Sequence, residues 1–100
     1  MATASAAQTY DLPHEGEVRA VLRRYGVRRA QLFGSAARGE LTPTSDIDML
    51  IDLPGPLDYA VLLRLSEELE AATGRRVDLL TSIKPVFRPY IEPDLVEIVL

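Results

Sequence analysis

The segment Asp46-Ile47-Asp48-Met49-Leu50-Ile51-Asp52-Leu53 is the clearest strand in the sequence, and it decides the fold class. Because side chains alternate across a strand, one face is wholly apolar and has to pack on helices. The opposite face carries Asp46, Asp48, Leu50 and Asp52. Pro54-Gly55-Pro56 ends the strand, since these residues do not extend a hydrogen-bonded ladder.

Helical and strand patterns alternate on both sides of this segment. The other predicted elements are a helix from Pro13 to Gly26, a strand over Arg29–Phe33, a helical turn over Ser35–Gly39, a helix from Asp58 to Gly74, a strand over Arg76–Thr81, a short helix around Val86–Ile91 and a strand over Val96–Leu100. This order predicts one α+β domain, a two-layer α/β arrangement, over residues 13–100. Residues 1–12 are predicted to be a disordered tail.

The composition excludes several classes of chemistry. The 100 residues carry 11 basic and 15 acidic side chains, and the net charge of −4 predicts no direct binding of nucleic acid. With no cysteine and one histidine, disulfides, thiol chemistry, cysteine-based zinc sites and histidine clusters are excluded. No apolar run approaches the ~20 residues of a membrane span. We therefore expect a cytoplasmic protein without a membrane partner.

Carboxylates are the chemically informative side chains. Asp46 and Asp48 project from one strand face, about 6–7 Å apart at the backbone. If the next strand is a neighbour, Asp78 joins them, and three converging carboxylates suit two Mg²⁺ ions that assist phosphoryl displacement. The alternatives are a solvated polar face for Asp46 and Asp48, and a surface ion pair between Asp78 and Arg75 or Arg76.

Gly34 and Ser35 form a second candidate site where the first strand meets the helical turn. Backbone N–H groups and a hydroxyl at such a turn suit a phosphate. The alternative is an ordinary turn with Ser35 as the N-cap residue.

The spacing of these two candidate sites carries a family resemblance. Leu32-Phe33-Gly34-Ser35-Ala36-Ala37-Arg38-Gly39, followed by Ser45-Asp46-Ile47-Asp48-Met49-Leu50-Ile51, resembles the signature of the nucleotidyltransferase superfamily related to DNA polymerase β. It looks most like the minimal nucleotidyltransferases, the antitoxin partners of HEPN-domain ribonuclease toxins. The resemblance runs from about Val27 to Thr81 and includes Asp78. It implies a nucleotidyltransferase fold, in which a small mixed sheet packs on helices on one face.

The resemblance also implies an activity and roles for the site residues. The enzyme would transfer AMP from ATP to a hydroxyl, in some relatives a tyrosine of the HEPN toxin. Gly34 and Ser35 would hold the terminal phosphates of ATP, and Asp46 and Asp48 would coordinate both Mg²⁺ ions. Asp78 would complete the metal site nearer the acceptor and help to deprotonate its hydroxyl. Arg38 would contact phosphate or form a structural ion pair.

The expected partner is a HEPN toxin, since so short a catalytic core has to receive its acceptor from another protein. Candidate docking surfaces are the first helix, through Arg19, Arg23 and Arg24, and the segment Pro85–Pro93, although for each the favoured interpretation is a solvated helix face or a packed tail. Two other functions stay open. One is a non-catalytic antitoxin that blocks its toxin sterically, and the other is nucleotidyl transfer to a small molecule.

Overall fold

In the computed structural model, which describes residues 10–100, every element predicted from the sequence is present. In chain order these are α1 (Glu15–Arg24), β1 (Arg29–Phe33), α2 (Gly34–Ala37), β2 (Ile47–Asp52), α3 (Tyr59–Thr73), β3 (Val77–Leu80), α4 (Arg88–Ile91) and β4 (Val96–Ile98). Two 3₁₀ turns, Pro85–Phe87 and Glu92–Asp94, flank α4.

The four strands form one mixed sheet in the order β3-β2-β1-β4. β1 pairs antiparallel with both β2 and β4, whereas β2 and β3 are parallel. The parallel pair needs a crossover connection, and α3 supplies it. The predicted α+β class and small mixed sheet are therefore confirmed.

The two long helices begin and end at residues that explain their boundaries. The Asp58 carboxylate accepts hydrogen bonds from the amides of Ala60 and Val61 at the start of α3, at 2.9 and 3.4 Å. Gly74 ends α3 with φ at +72°, a conformation that glycine adopts at little cost. Acidic residues in the first turn of α1 and arginines in its last turn complement the helix dipole.

The core lies between the long helices and one face of the sheet. The apolar face predicted for the central strand is confirmed, since Ile47, Met49 and Ile51 are at most 2% exposed. They pack with buried side chains of β1, α1 and α3, chiefly Ala30, Leu32, Val18, Leu22, Leu65 and Leu69. The opposite face of the sheet, which we call the open face, carries Asp48, Leu50 and Asp52, because side chains alternate along a strand.

Three residues of the predicted tail are packed on the domain. Tyr10 Oη donates a hydrogen bond to Glu15 at 2.8 Å, and the Asp11 amide donates to the Ala36 carbonyl at 2.8 Å. Tyr10 and Leu12 also contact the core. Apolar burial and these two bonds therefore tie residues 10–12 to the domain, while the rest of the predicted tail, residues 1–9, lies outside the described residues. Within residues 10–100, every helix is too short or too polar to cross a bilayer.

Candidate active site

Two aspartates lie side by side at one end of the sheet. Asp48 and Asp78 are register partners on the parallel strands β2 and β3. Asp48 follows the fully buried Ile47 and Asp78 follows the buried Val77, so both carboxylates project on the open face. The expectation that the second and third strands are neighbours, with these carboxylates on one face, is confirmed.

Burial and neighbouring negative charges act together on Asp48. Burial has the largest effect, followed by the charges of Asp78 and Asp46, and together they raise the pKa of the Asp48 carboxyl from 3.8 to about 6. A hydrogen bond with Asp78 acts in the same direction, while the Arg38 guanidinium opposes the shift. Like charges held together in this way favour a proton or a cation between them.

Asp46 joins this group from outside the strand. The sequence predicted Asp46 as the first residue of the strand. In the structure β2 begins at Ile47, so Asp46 directly precedes the strand and does not pair within the sheet. The Arg76 guanidinium lies 3.9 Å from an Asp46 oxygen and 3.8 Å from an Asp78 oxygen, so the alternative ion pair for Asp78 is also present. All three groups are well exposed, and such ion pairs contribute little to stability.

The three carboxylates fit a hard divalent cation by their chemistry. Their oxygens are the donors that Mg²⁺ prefers, and the carboxylates of Asp78 and Asp46 add to burial in raising the pKa of Asp48. Among residues 10–100, no three acidic or histidine side chains are already spaced to hold a metal ion. Binding would therefore require the three side chains to rearrange around the ion, with Asp46 and Asp78 leaving their ion pairs with Arg76.

Gly34 forms the turn between β1 and α2 directly against Asp48. Its φ is +69°, and a Cβ atom at this position would lie 2.4 Å from Oδ2 of Asp48. Phe33, the register partner of Asp48, is the N-cap residue of α2, so Ser35 is not the N-cap that the sequence left open. Gly34 and Ser35 therefore stand at the same end of the sheet as the aspartate pair.

Arg38 forms ion pairs in this structure. Its Nε donates to Glu40 at 2.9 Å and its Nη1 donates to Asp94 at 2.6 Å. These contacts agree with the structural role that the sequence offered as the alternative to phosphate binding. Asp94 is 56 residues away in the sequence, and nothing in the spacing of the motifs indicates this contact.

Two of the arginines on α1 are also engaged within the chain. Arg19 pairs with Glu15 on the same helix, and Arg24 pairs with Glu68 on α3. Tyr25 Oη donates to Glu68 as well, so this carboxylate joins the two long helices. Arg19 and Arg24 thus form ion pairs within the chain, and the pair of Arg24 joins α1 to α3.

Comparison with protein families gives one match to most of the chain. The family described as nucleotidyltransferase domain matches residues 17–100. A Methanocaldococcus jannaschii protein whose assigned activity is protein adenylyltransferase is 41% identical over 80 residues, covering 78% of this chain and 86% of the relative. The protein adenylyltransferase MntA of Thermococcus cleftensis is 42% identical over 66 residues, covering 66% of this chain and 64% of the relative.

Solved structures agree with this match. A structure described as a minimal nucleotidyltransferase superposes with a TM-score of 0.69 at 30% identity, covering 82% of this chain and 86% of that one. A toxin–antitoxin structure solved with AMP-PNP superposes with a TM-score of 0.71 at 25% identity, covering 83% of this chain and 70% of that one.

Proposed function

The chain belongs to the nucleotidyltransferase domain family and is a nucleotidyltransferase, and from that premise we propose that it transfers AMP from ATP to a protein. The acceptor in this proposal is a hydroxyl, specifically that of a tyrosine, on a partner HEPN toxin. Modification would inactivate the toxin, so that the chain acts as an antitoxin in the cytoplasm.

The observation that carries the proposal is the meeting of three features at one end of the sheet. Asp48 and Asp78 are adjacent in register, and the Gly34 turn lies against Asp48 without room for a side chain. Carboxylates beside a glycine turn that begins a helix suit a reaction between a phosphate and a hydroxyl.

The reaction forms one P–O bond and breaks another. The acceptor oxygen attacks the α-phosphorus of ATP, the bond from that phosphorus to the β-phosphate bridging oxygen breaks, and pyrophosphate leaves. The acceptor proton passes to a base, which in this proposal is the exposed Asp78 carboxylate. Gly34 and Ser35 hold the terminal phosphates through backbone N–H groups and the Ser35 hydroxyl.

The bound cation belongs to the same proposal. Asp46, Asp48 and Asp78 are the residues that would hold two Mg²⁺ ions. When bound, Mg²⁺ supplies positive charge that offsets the charge developing on the leaving pyrophosphate. The chain's own part is to concentrate negative charge on the open face, to align the phosphates and to accept a proton.

Support for a protein acceptor comes from the relatives. Two of them carry protein adenylyltransferase as their assigned activity, and one structural relative was solved as a toxin–antitoxin pair with an ATP analogue. Those statements describe those proteins, and the family match over residues 17–100 is the reason to extend them to this chain.

The test uses the purified chain, ATP labelled on the α-phosphate, Mg²⁺ and a purified HEPN-domain toxin. We expect the label to move to the toxin and the toxin's ribonuclease activity to fall. Asp46→Asn removes a proposed ligand, whereas Asp52→Asn, a matched change in β2 away from the pair, serves as control. Transfer should be lost only in the first variant.

Two results would replace the proposal by another function. If no label moves and inhibition of the toxin survives Asp46→Asn, the chain is a steric antitoxin. If label appears only in low-molecular-weight material when small acceptors are supplied, the acceptor is a small molecule.

A further inference from the structure

The segment that connects β3 to β4 exposes three large apolar side chains. Val86 is 68% exposed, Phe87 is 52% exposed and Tyr90 is 77% exposed. We call these three residues the apolar ridge. No residue of the 3₁₀ turn Pro85–Phe87 or of α4 is buried. Large apolar side chains exposed together on an ordered segment that has no buried residue are typical of a surface that another molecule covers.

The ridge borders the same open face that carries the aspartate pair. Arg88 and Glu92, on either side of Tyr90, line a cavity of about 370 Å³ together with Gln31 and Leu50 of the sheet. Leu50 lies two residues after Asp48 on the same strand face, a separation of about 6–7 Å. The segment between β3 and β4 thus lines the open face through Arg88 and Glu92, and it exposes the apolar ridge.

We propose that the apolar ridge is the surface on which the protein acceptor docks when it presents its hydroxyl to Asp48 and Asp78. This inference rests on the proposed function, because it takes the acceptor to be a protein. A protein that reaches the aspartate pair has to cover the surface bordering the open face. The cavity beside Leu50 is of the size that a single side chain or small ligand occupies.

The chemistry of the ridge favours a protein over other occupants. The ridge offers two aromatic rings and a valine, and aromatic side chains are enriched at the centre of protein interfaces. Nucleic acid requires a dense basic surface, which a chain of net charge −4 does not supply. In the proposed function the phosphates of ATP bind at Gly34 and Ser35. Charged phosphates do not bind to an apolar surface, so ATP does not occupy the ridge.

The chain contains a closely matched control. Val99, directly after β4, is 72% exposed, close to the 68% of Val86, and does not line the cavity beside Leu50. The variants Val86→Ser, Phe87→Ser and Tyr90→Ser therefore test the ridge, and Val99→Ser tests the loss of an equally exposed valine outside it. Thermal melting confirms that each variant is folded.

The measurements are the Kd of each variant for a purified HEPN-domain toxin, the KM for that toxin in AMP transfer, and the Kd for AMP-PNP. We expect Phe87→Ser and Tyr90→Ser to weaken toxin binding by about tenfold or more, and Val86→Ser to weaken it more than Val99→Ser does. Their KM for the toxin should rise in parallel, while kcat at saturation, the Kd for AMP-PNP and all values for Val99→Ser stay within about twofold of the wild type.

The direct binding measurement separates this inference from the proposed function. If the wild type transfers no AMP but binds the toxin through the ridge, the proposed activity fails and the docking surface stands. If the ridge variants bind the toxin as tightly as Val99→Ser does, or if they lose a homodimer instead, the docking surface is overturned. Failure of the wild type to bind the toxin overturns it as well.

Discussion

Gly34 and Asp48 are so close that a Cβ atom on the glycine would lie 2.4 Å from Oδ2 of the aspartate. The turn after β1 therefore packs directly against the carboxylate of Asp48, the second residue of β2. Gly34 also has a φ of +69°, which side-chain-bearing residues rarely adopt. The glycine is thus required twice, for the backbone conformation and for the approach of the carboxylate.

We predict that Gly34→Ala abolishes nucleotidyl transfer and also lowers stability. The left-handed conformation costs an alanine about 1–2 kcal/mol, and the new Cβ displaces the Asp48 carboxylate from its position beside Asp78. Gly26→Ala is the matched control, because Gly26 has a φ of +73° and a Cβ atom added there would meet open space, with no neighbouring group within 4 Å. Denaturant unfolding and AMP transfer are measured for both variants.

The two variants should share the loss of stability but differ in activity. Gly26→Ala is expected to keep transfer within about twofold of the wild type, since it lies in the turn after α1, away from the open face. Equal activity of the two variants would show that the contact between Gly34 and Asp48 is unimportant for the reaction.

A second prediction concerns Asp48 and pH in the absence of divalent ions. The pKa of Asp48 is raised from 3.8 to about 6, so between these values the folded protein binds a proton that the unfolded chain releases. Stability therefore falls as pH rises through this interval, and the loss is complete above it. Asp48→Asn removes this penalty and should stabilise the protein at pH 7 by about 1–2 kcal/mol, a figure reduced for solvent screening.

The same variant should be no more stable than the wild type near pH 4 and should be inactive in AMP transfer at every pH. The check is urea unfolding in EDTA at pH 4 and pH 7, with Asp52→Asn as the control from the same strand. An advantage of Asp48→Asn that is equal at both pH values would contradict a pKa of Asp48 raised by burial and by the neighbouring carboxylates.

The sequence predicts the sheet and the aspartate pair because both follow from local periodicity. Ile47, Met49 and Ile51 alternate with polar residues, and this alternation alone determines which side chains face the core. A helix of the length of α3 between two strands predicts a crossover and so allows them to be parallel neighbours, whereas the exact register of Asp48 with Asp78 is seen only in the structure. Gly74, which ends α3, and Pro54 and Pro56, which follow β2, are local signals of the same kind.

Contacts between distant exposed side chains were beyond prediction. Arg38 bonds to Asp94 and Arg76 lies near Asp46, but exposed ion pairs leave no periodic pattern in a sequence. The packing of Tyr10 on the domain was missed for a related reason. An isolated apolar residue in a polar, aperiodic segment gives no sign of which surface it contacts.

A third prediction tests the carboxylates as a cation site without relying on activity. Adding Mg²⁺ at about ten times its Kd should raise the free energy of unfolding of the wild type by about 1.4 kcal/mol. For a domain of this size that corresponds to a rise of several degrees in Tm, on the order of 4–8 °C per kcal/mol. Asp48→Asn and Asp78→Asn should lose most of this rise, whereas Asp52→Asn should keep it. The same rise in all the variants would place the Mg²⁺ elsewhere.

The last prediction separates the two roles of Arg38. If its guanidinium leaves Glu40 and Asp94 to contact phosphate when ATP binds, Arg38→Ala raises the KM for ATP by about tenfold, as expected for a charged hydrogen bond. Asp94→Asn breaks the shorter ion pair of 2.6 Å but keeps the guanidinium, so it should leave the KM for ATP within about twofold. Each variant should lose less than about 1 kcal/mol of stability, because the ion pairs are exposed. A KM for ATP that rises equally in both variants would mean that Arg38 serves to hold the Glu92–Asp94 turn against the sheet, and that it does not touch the nucleotide.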